Sequence, residues 1–138
     1  MDFHFASAWE IVADKYSNRV ATISDDKPLS WKEFERRASC IASLLEEHGL
    51  GADSKAGLYL HNCSEYQEAQ FGIFKVGGCP INVNYRYKSD ELVYLLENSD
   101  AEAVFFQSCY AMRIWEIRER LPKVKLFVQI DDGTESLL

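Results

Sequence analysis

From residue 55 onward the chain alternates short apolar runs with longer segments whose apolar residues recur every three or four positions. "AGLYL" (56–60) reads as a strand and "SEYQEAQFGIFKVGG" (64–78) as a helix closed by Gly77-Gly78. "PINVN" (80–84) is a second strand, followed by "SDELVYLLENSD" (89–100), a helix with acids in its favourable first turn. "AEAVFF" (101–106) is a third strand. "CYAMRIWEIRERL" (109–121) is then a helix with Tyr110, Ile114, Ile117 and Leu121 on one side, and "KVKLFVQI" (123–130) the last strand. Helices separate every pair of strands, so these are βαβ units and the sheet is parallel, with right-handed crossovers. The predicted fold class is α/β: an open, mainly parallel βαβ sheet flanked by helices.

The preceding stretch, 1–54, predicts a helix, a short hairpin and a capped helix. Three patterns resemble capping boxes: Ser7-x-x-Glu10, Ser30-x-x-Glu33 and Ser64-x-x-Gln67. The first predicts a helix over about 8–17, with Trp9, Val12 and Tyr16 on one face. The second opens a helix whose stripe is Trp31, Phe34, Ala38, Ile41 and Leu45, ended by Gly49 at a C′ position. Between them, "VATISDDKPLSW" reads as strand, a turn at Asp25-Asp26-Lys27-Pro28, and strand. Residues 55–138 are expected to be repeated βαβ units of the same subdomain. Their end, "DDGTESLL", lacks a closing element and reads as a truncation.

A chain of 138 residues can bury roughly two thirds of its unfolded surface in one core. Its 47% hydrophobic content is that of a folded globule. A net charge of −7 argues against a nucleic-acid footprint. No apolar run reaches the ~18 residues that span a bilayer, and "MDFHFASAWE" lacks the basic and apolar regions of a signal peptide. The expected location is cytoplasmic, with peripheral membrane association left open. Cys40, Cys63, Cys79 and Cys109 include no C-x-x-C pair, so no metal site is assigned. Cys40 and Cys109 fall in helical patterns and are expected to pack as small apolar residues.

No G-x-G-x-x-G follows a strand, and neither a G-x-x-x-x-G-K-[ST] loop nor a G-x-S-x-G elbow occurs. Gly77-Gly78 follows a helix, which suits a helix stop and not a phosphate loop. His4, His48 and His61 are scattered, and Glu46-Glu47 and Asp131-Asp132 read as solvated charge. No catalytic residue is assigned to this chain. The exception to this plainness is Tyr85-Arg86-Tyr87, directly after strand 80–84. That places Arg86 at the carboxyl edge of the sheet, where open α/β folds bind ligands. Two readings stand: Arg86 holds a phosphate of a cofactor, its motion restricted by flanking rings, or it pairs with a nearby acid such as Asp90.

"LSWKEFERRASCIASLLEEHGL" followed by "AGLYLHNCSEYQEAQFGIFKVGGCPINVNYRYKSDELVYLLENSDAEAVFF" resembles the N-terminal part of the adenylate-forming (AMP-binding) acyl-CoA synthetases, fatty-acid-CoA ligase type. The resemblance runs from about Phe5 to Ile130. It implies an enzyme whose carboxylic acid attacks ATP, with Mg²⁺, to give acyl-adenylate and pyrophosphate, after which the thiol of CoA displaces AMP. A carboxylate is a poor acyl donor until its oxygen belongs to a good leaving group. The resemblance also implies that Arg86 lies near the nucleotide end of CoA, as a clamp and not a catalyst. Such enzymes carry a Thr/Ser/Gly-rich loop with a lysine for the ATP phosphates, an acid for the ribose, and a catalytic lysine. None is found here, so this chain alone is expected to be inactive and to bind ATP, Mg²⁺ and CoA at most weakly. Fatty acid, ATP and CoA are partners of the parent enzyme. Apolar surface left uncovered predicts self-association. The rival readings are a stand-alone α/β interaction module and a receiver-like signalling domain.

Overall fold

The computed structural model describes residues 4–135. The outermost residues of the N-terminal decapeptide and of "DDGTESLL" lie outside the described residues. The elements are α1 (Phe5–Lys15), β1 (Val20–Ser24), β2 (Lys27–Ser30), α2 (Trp31–Glu47), β3 (Lys55–Tyr59), α3 (Ser64–Lys75), β4 (Cys79–Asn82), α4 (Ser89–Asn98), β5 (Ala101–Gln107), α5 (Ala111–Ile117) and β6 (Leu126–Ile130). They divide between two compact units. One holds α1, the β1–β2 hairpin, α2 and α3; the other holds the four remaining strands with α4 and α5.

In the first unit, β1 and β2 pair antiparallel, with Ser24 opposite Lys27. Asp25 and Asp26 bridge them at φ 49° and 60°. Two left-handed residues form the turn that matches the twist of a hairpin, so Pro28 lies in β2 and not in the turn as expected. Trp9, Phe34, Phe71 and Phe74 interlock with ring centroids 5.0–5.9 Å apart. Ala6 and Ala38 are fully buried beside them.

Only one of the three expected capping boxes opens its helix. Ser30 is the N-cap of α2, and its Oγ accepts the Glu33 N–H at 3.3 Å. α1 instead starts at Phe5 behind His4, placing Ser7 inside the first turn. Phe5 reaches Phe74 at 5.2 Å, and that contact draws the helix start forward. α3 takes Cys63 as N-cap, while Ser64 turns its hydroxyl inward to Glu68 at 2.9 Å. The helix ends follow expectation. Gly49 (φ 77°) and Gly77 (φ 75°) occupy left-handed C′ positions. Leu50 N–H donates to Leu45 O (3.0 Å), and Gly78 N–H to Ile73 O (2.9 Å), closing both helices in Schellman fashion.

The second unit is a four-stranded sheet ordered β4-β3-β5-β6, and every neighbouring pair is parallel. That is the predicted class. All of β5 but Glu102 is buried, which is why "AEAVFF" reads as a continuous apolar run. Leu92 and Leu96 of α4 and Ile114 and Ile117 of α5 close the core with Leu121. The expected helix 109–121 is broken into a 3₁₀ turn, α5 and a second 3₁₀ turn, though Ile114, Ile117 and Leu121 share the buried side as predicted. The last strand is shorter than expected and begins at Leu126.

Cys40 and Cys109 are exposed, contrary to expectation. The buried stripe of α2 is Phe34, Ala38 and Leu45, and Cys40 falls outside it. Cys109 sits in a 3₁₀ turn, where the helical periodicity that suggested burial does not apply.

Candidate functional site

The chain leaves β3 for β4 on one side and later lays β5 on the other. The carboxyl ends of β3 and β5 therefore flank a topological switch point, the place where open α/β sheets take their ligands. Tyr59 and His61 come from the end of β3, Gln107 and Tyr110 from the end of β5. The turn after β4 brings Tyr85, Arg86 and Tyr87 to the same edge.

These side chains form one connected group. His61 N–H donates to the carboxamide oxygen of Gln107 at 2.7 Å. The His61 ring stands edge-on to Tyr85 (4.5 Å between centroids), and its Nε2 lies 2.6 Å from the Tyr110 hydroxyl. Tyr110 in turn overlies Tyr59 at 4.3 Å. Burial, with help from Cys109 and Tyr59, pushes the Tyr110 phenol up to about 12, so it keeps its proton beside His61.

The turn bearing Arg86 is an Asx turn. Asn84 accepts the Arg86 N–H through Oδ1 and the Tyr87 N–H through its carbonyl, both at 3.0 Å. Short polar side chains that bond their own backbone two residues on are what such turns require. The Arg86 side chain is exposed, its guanidinium 5.5 Å from the Tyr85 ring centroid. Tyr87 points the other way and packs against the core, so one ring flanks Arg86 and not two. The pairing with Asp90 is not found, because Asp90 is held by Arg120 at 3.0 Å.

Beneath the turn, the Tyr59 hydroxyl donates to Tyr87 O at 2.9 Å. Arg113 Nη1 reaches both that hydroxyl (2.6 Å) and the same carbonyl (3.0 Å). Burial raises the Tyr59 phenol above its ordinary value even though Arg113 acts to lower it. Tyr59 therefore remains a proton donor.

Farther along the edge, Asp132 is exposed, as its sequence suggested, and is also hydrogen-bonded. Desolvation, the largest influence on it, acts upward, yet bonds from Thr134 and Cys109 bring its carboxyl down to about 2. It accepts the Cys109 N–H at 3.1 Å, tying the end of β6 to the turn after β5. Ser108 Oγ donates to Ile130 O (3.1 Å) and accepts from Gln129 Nε2 (3.0 Å), completing a polar rim.

Sequence reasoning placed Arg86 at this edge and missed Tyr59, His61, Gln107, Tyr110 and Arg113. Four of those five lie within three residues of a strand's carboxyl end, and that position is the signal that would have marked them. Arg113 lies on α5 and carries no such signal.

Comparison with known proteins agrees with this architecture. A solved structure of a putative long-chain-fatty-acid CoA ligase from Rhodopseudomonas palustris superposes with a TM-score of 0.88 at 26% identity, over 97% of this chain and 34% of that one. An anthranilate CoA ligase in complex with anthranoyl-AMP shares the fold (TM-score 0.87, 22% identity, 93% of this chain and 25% of that one). In sequence, the chain is 35% identical over 135 residues to a 3-oxocholest-4-en-26-oate–CoA ligase of Rhodococcus rhodochrous, covering 98% of this chain and 24% of that protein. It is 36% identical over 132 residues to a medium/long-chain-fatty-acid–CoA/3-oxocholest-4-en-26-oate–CoA ligase of Mycobacterium marinum, covering 96% of this chain and 24% of that protein. The chain thus spans about a quarter of the length of the curated relatives it matches. The family model for AMP-binding enzymes matches residues 9–137, nearly the whole chain, and the protein belongs to that family.

Proposed function

We propose that this chain is the N-terminal portion of an ATP-dependent fatty-acid–CoA ligase, and that Arg86 contacts a phosphate at the nucleotide end of CoA. The observation that carries the reading is an exposed arginine, free of any acidic partner among the described residues, on a braced turn at the carboxyl edge of a parallel sheet in a member of the AMP-binding family. A guanidinium on a pre-set turn offers planar, charge-assisted bonds to phosphate oxygens. Its role is binding: it brings the thiol substrate to the acyl-adenylate and takes no part in the bond changes.

Among the described residues, no group of three or more His, Cys, Asp or Glu is placed to hold a metal ion. In this reading the Mg²⁺, the ATP phosphates and the reacting carboxylate are held by the remainder of the parent enzyme. No helix among the described residues is long and apolar enough to cross a membrane. Tyr94, at 72% exposed, with Met112 and Trp115, leaves apolar surface on α4 and α5 that supports both self-association of the isolated chain and peripheral contact with lipid.

The test is binding of adenosine 3′,5′-bisphosphate, the nucleotide end of CoA, to the 138-residue chain. Arg86→Ala is expected to weaken it about tenfold or more, the equivalent of ~1.4 kcal/mol, and to reduce its salt sensitivity. Equal affinity in both proteins removes Arg86 from the site. At the level of the parent enzyme, pyrophosphate is expected to appear only when ATP and a fatty acid are supplied together. ATP hydrolysis independent of the acid would rule the ligase reading out.

A further inference from the structure

The backbone on both sides of Arg86 is tied down, while its side chain is not. On the near side, Asn84 accepts the Arg86 and Tyr87 N–H groups at 3.0 Å. On the far side, two groups converge on the single carbonyl of Tyr87: the Tyr59 hydroxyl at 2.9 Å and Arg113 Nη1 at 3.0 Å. The two are also bonded to each other at 2.6 Å, which closes a three-membered ring of hydrogen bonds.

Packing alone does not account for this arrangement. Tyr59 is fully buried at the end of β3, where a phenylalanine would fill the same volume. Its hydroxyl is retained in the interior and needs partners there, and it finds them in the turn and in α5. Arg113 is half-buried, presents its ring-facing side to Tyr110 at 5.9 Å, and spends its inner nitrogen on a backbone oxygen and a phenol and not on a carboxylate. An arginine used this way braces a backbone segment. The segment braced is the one that displays Arg86.

We infer that Tyr59 and Arg113 are positioning residues for Arg86: they hold the Tyr87 carbonyl so that the turn is already ordered when a phosphate-bearing ligand arrives. This rests on the reading of Arg86 as a phosphate contact. A preset turn spares the ligand the cost of ordering backbone, so affinity depends on residues that never touch it. Tyr59→Phe removes two of the three bonds in the ring without changing volume. Arg113→Met removes the other combination and leaves the Tyr59–Tyr87 bond.

The experiment uses the ¹⁵N-labelled 138-residue chain as wild type, Tyr59→Phe, Arg113→Met and Arg86→Ala. It reads two quantities: amide hydrogen exchange at Arg86 and Tyr87 against the core strand amides of Leu58 and Val104, and affinity for adenosine 3′,5′-bisphosphate. Tyr59→Phe is expected to speed exchange at Arg86 and Tyr87 about tenfold while the core amides hold. It is expected to weaken the probe about three- to tenfold, and that loss disappears when Arg86 is already alanine, because the two act through one contact. Arg113→Met repeats both effects if it folds; Tyr59→Phe, being isosteric, decides the matter if it does not. Unchanged exchange at the turn, or faster exchange at turn and core alike, overturns the inference. So does an affinity that falls with Arg86→Ala but not with Tyr59→Phe, which leaves the reading of Arg86 standing. Looser turn amides with an affinity indifferent to Arg86 overturn that reading itself.

Discussion

Lys75 is an example of how much a single side chain decides. Near the end of α3 it is almost enclosed, yet its ammonium meets Glu10 of α1 at 2.6 Å and Glu35 of α2 at 2.7 Å. It also lies 5.0 Å from the centre of the Phe71 ring. Burial alone pushes Lys75 down, and the two carboxylates together carry it above its ordinary value. Lys75→Met is expected to destabilise the chain by about 1–2 kcal/mol. That is less than for a fully buried pair, because both glutamates it abandons retain access to water. Denaturant unfolding at pH 7 measures it; an unchanged midpoint would mean that the triad is only surface decoration. Nothing in the sequence announced this residue. It ends an amphipathic helix with a favourable charge, and only the convergence of three helices reveals two acids around it. Ser7, Ser30 and Ser64 teach the same lesson. Each carries the local pattern of a cap, and the Phe5–Phe74 contact and the buried Glu68 decide which of them performs that role.

Among the elements, α2 and α3 are pressed together at Gly72. A methyl group there would come within 2.6 Å of Ile41 Cγ2 and 2.9 Å of the Ala38 carbonyl oxygen, and the backbone cannot move aside as a side chain can. Gly72→Ala is therefore expected to cost about 1–3 kcal/mol in spite of alanine's better helix propensity. A stabilised protein in thermal unfolding would show that the two helices can separate freely. Element types were legible from periodicity, because the apolar residues of α2, α4 and β5 repeat with the period of the structure they form. Their limits were less so. The break around α5 and the late start of β6 carry no such periodic signal, and bonds such as Lys125 N–H to Glu102 O (2.7 Å) join segments distant in the chain.

For the whole molecule, an acidic chain of net charge −7 keeps several carboxyls below their ordinary range. Arg36 and Arg37 bring Glu33 down to about 2. Lys75 lowers Glu35, Lys123 lowers Asp100 and Lys125 lowers Glu102. Asp132, although exposed, reaches about 2 through its hydrogen bonds from Thr134 and Cys109, which outweigh the desolvation it feels. A carboxyl held low in the folded state stabilises above its ordinary value and loses that contribution as pH falls through the folded one. The midpoint of denaturant unfolding is thus expected to fall steadily from about pH 5 to about pH 2. Screening limits the share of Glu33, Asp100 and Asp132, which lie at the surface, so the slope rests mainly on the half-buried Glu35 and Glu102. A flat profile over that range would contradict these assignments.

By itself the sequence determined the class of the fold, the parallel sheet and the place of Arg86 beyond β4. Apolar period, helix stops and strand composition are local properties, and they act over a few residues. The tertiary structure alone decided the strand order, and with it the switch point between β3 and β5. It also decided that Tyr59, His61, Tyr85, Tyr110 and Arg113 meet there. Those contacts join residues far apart in the chain, and their geometry exists only once the sheet has closed its register.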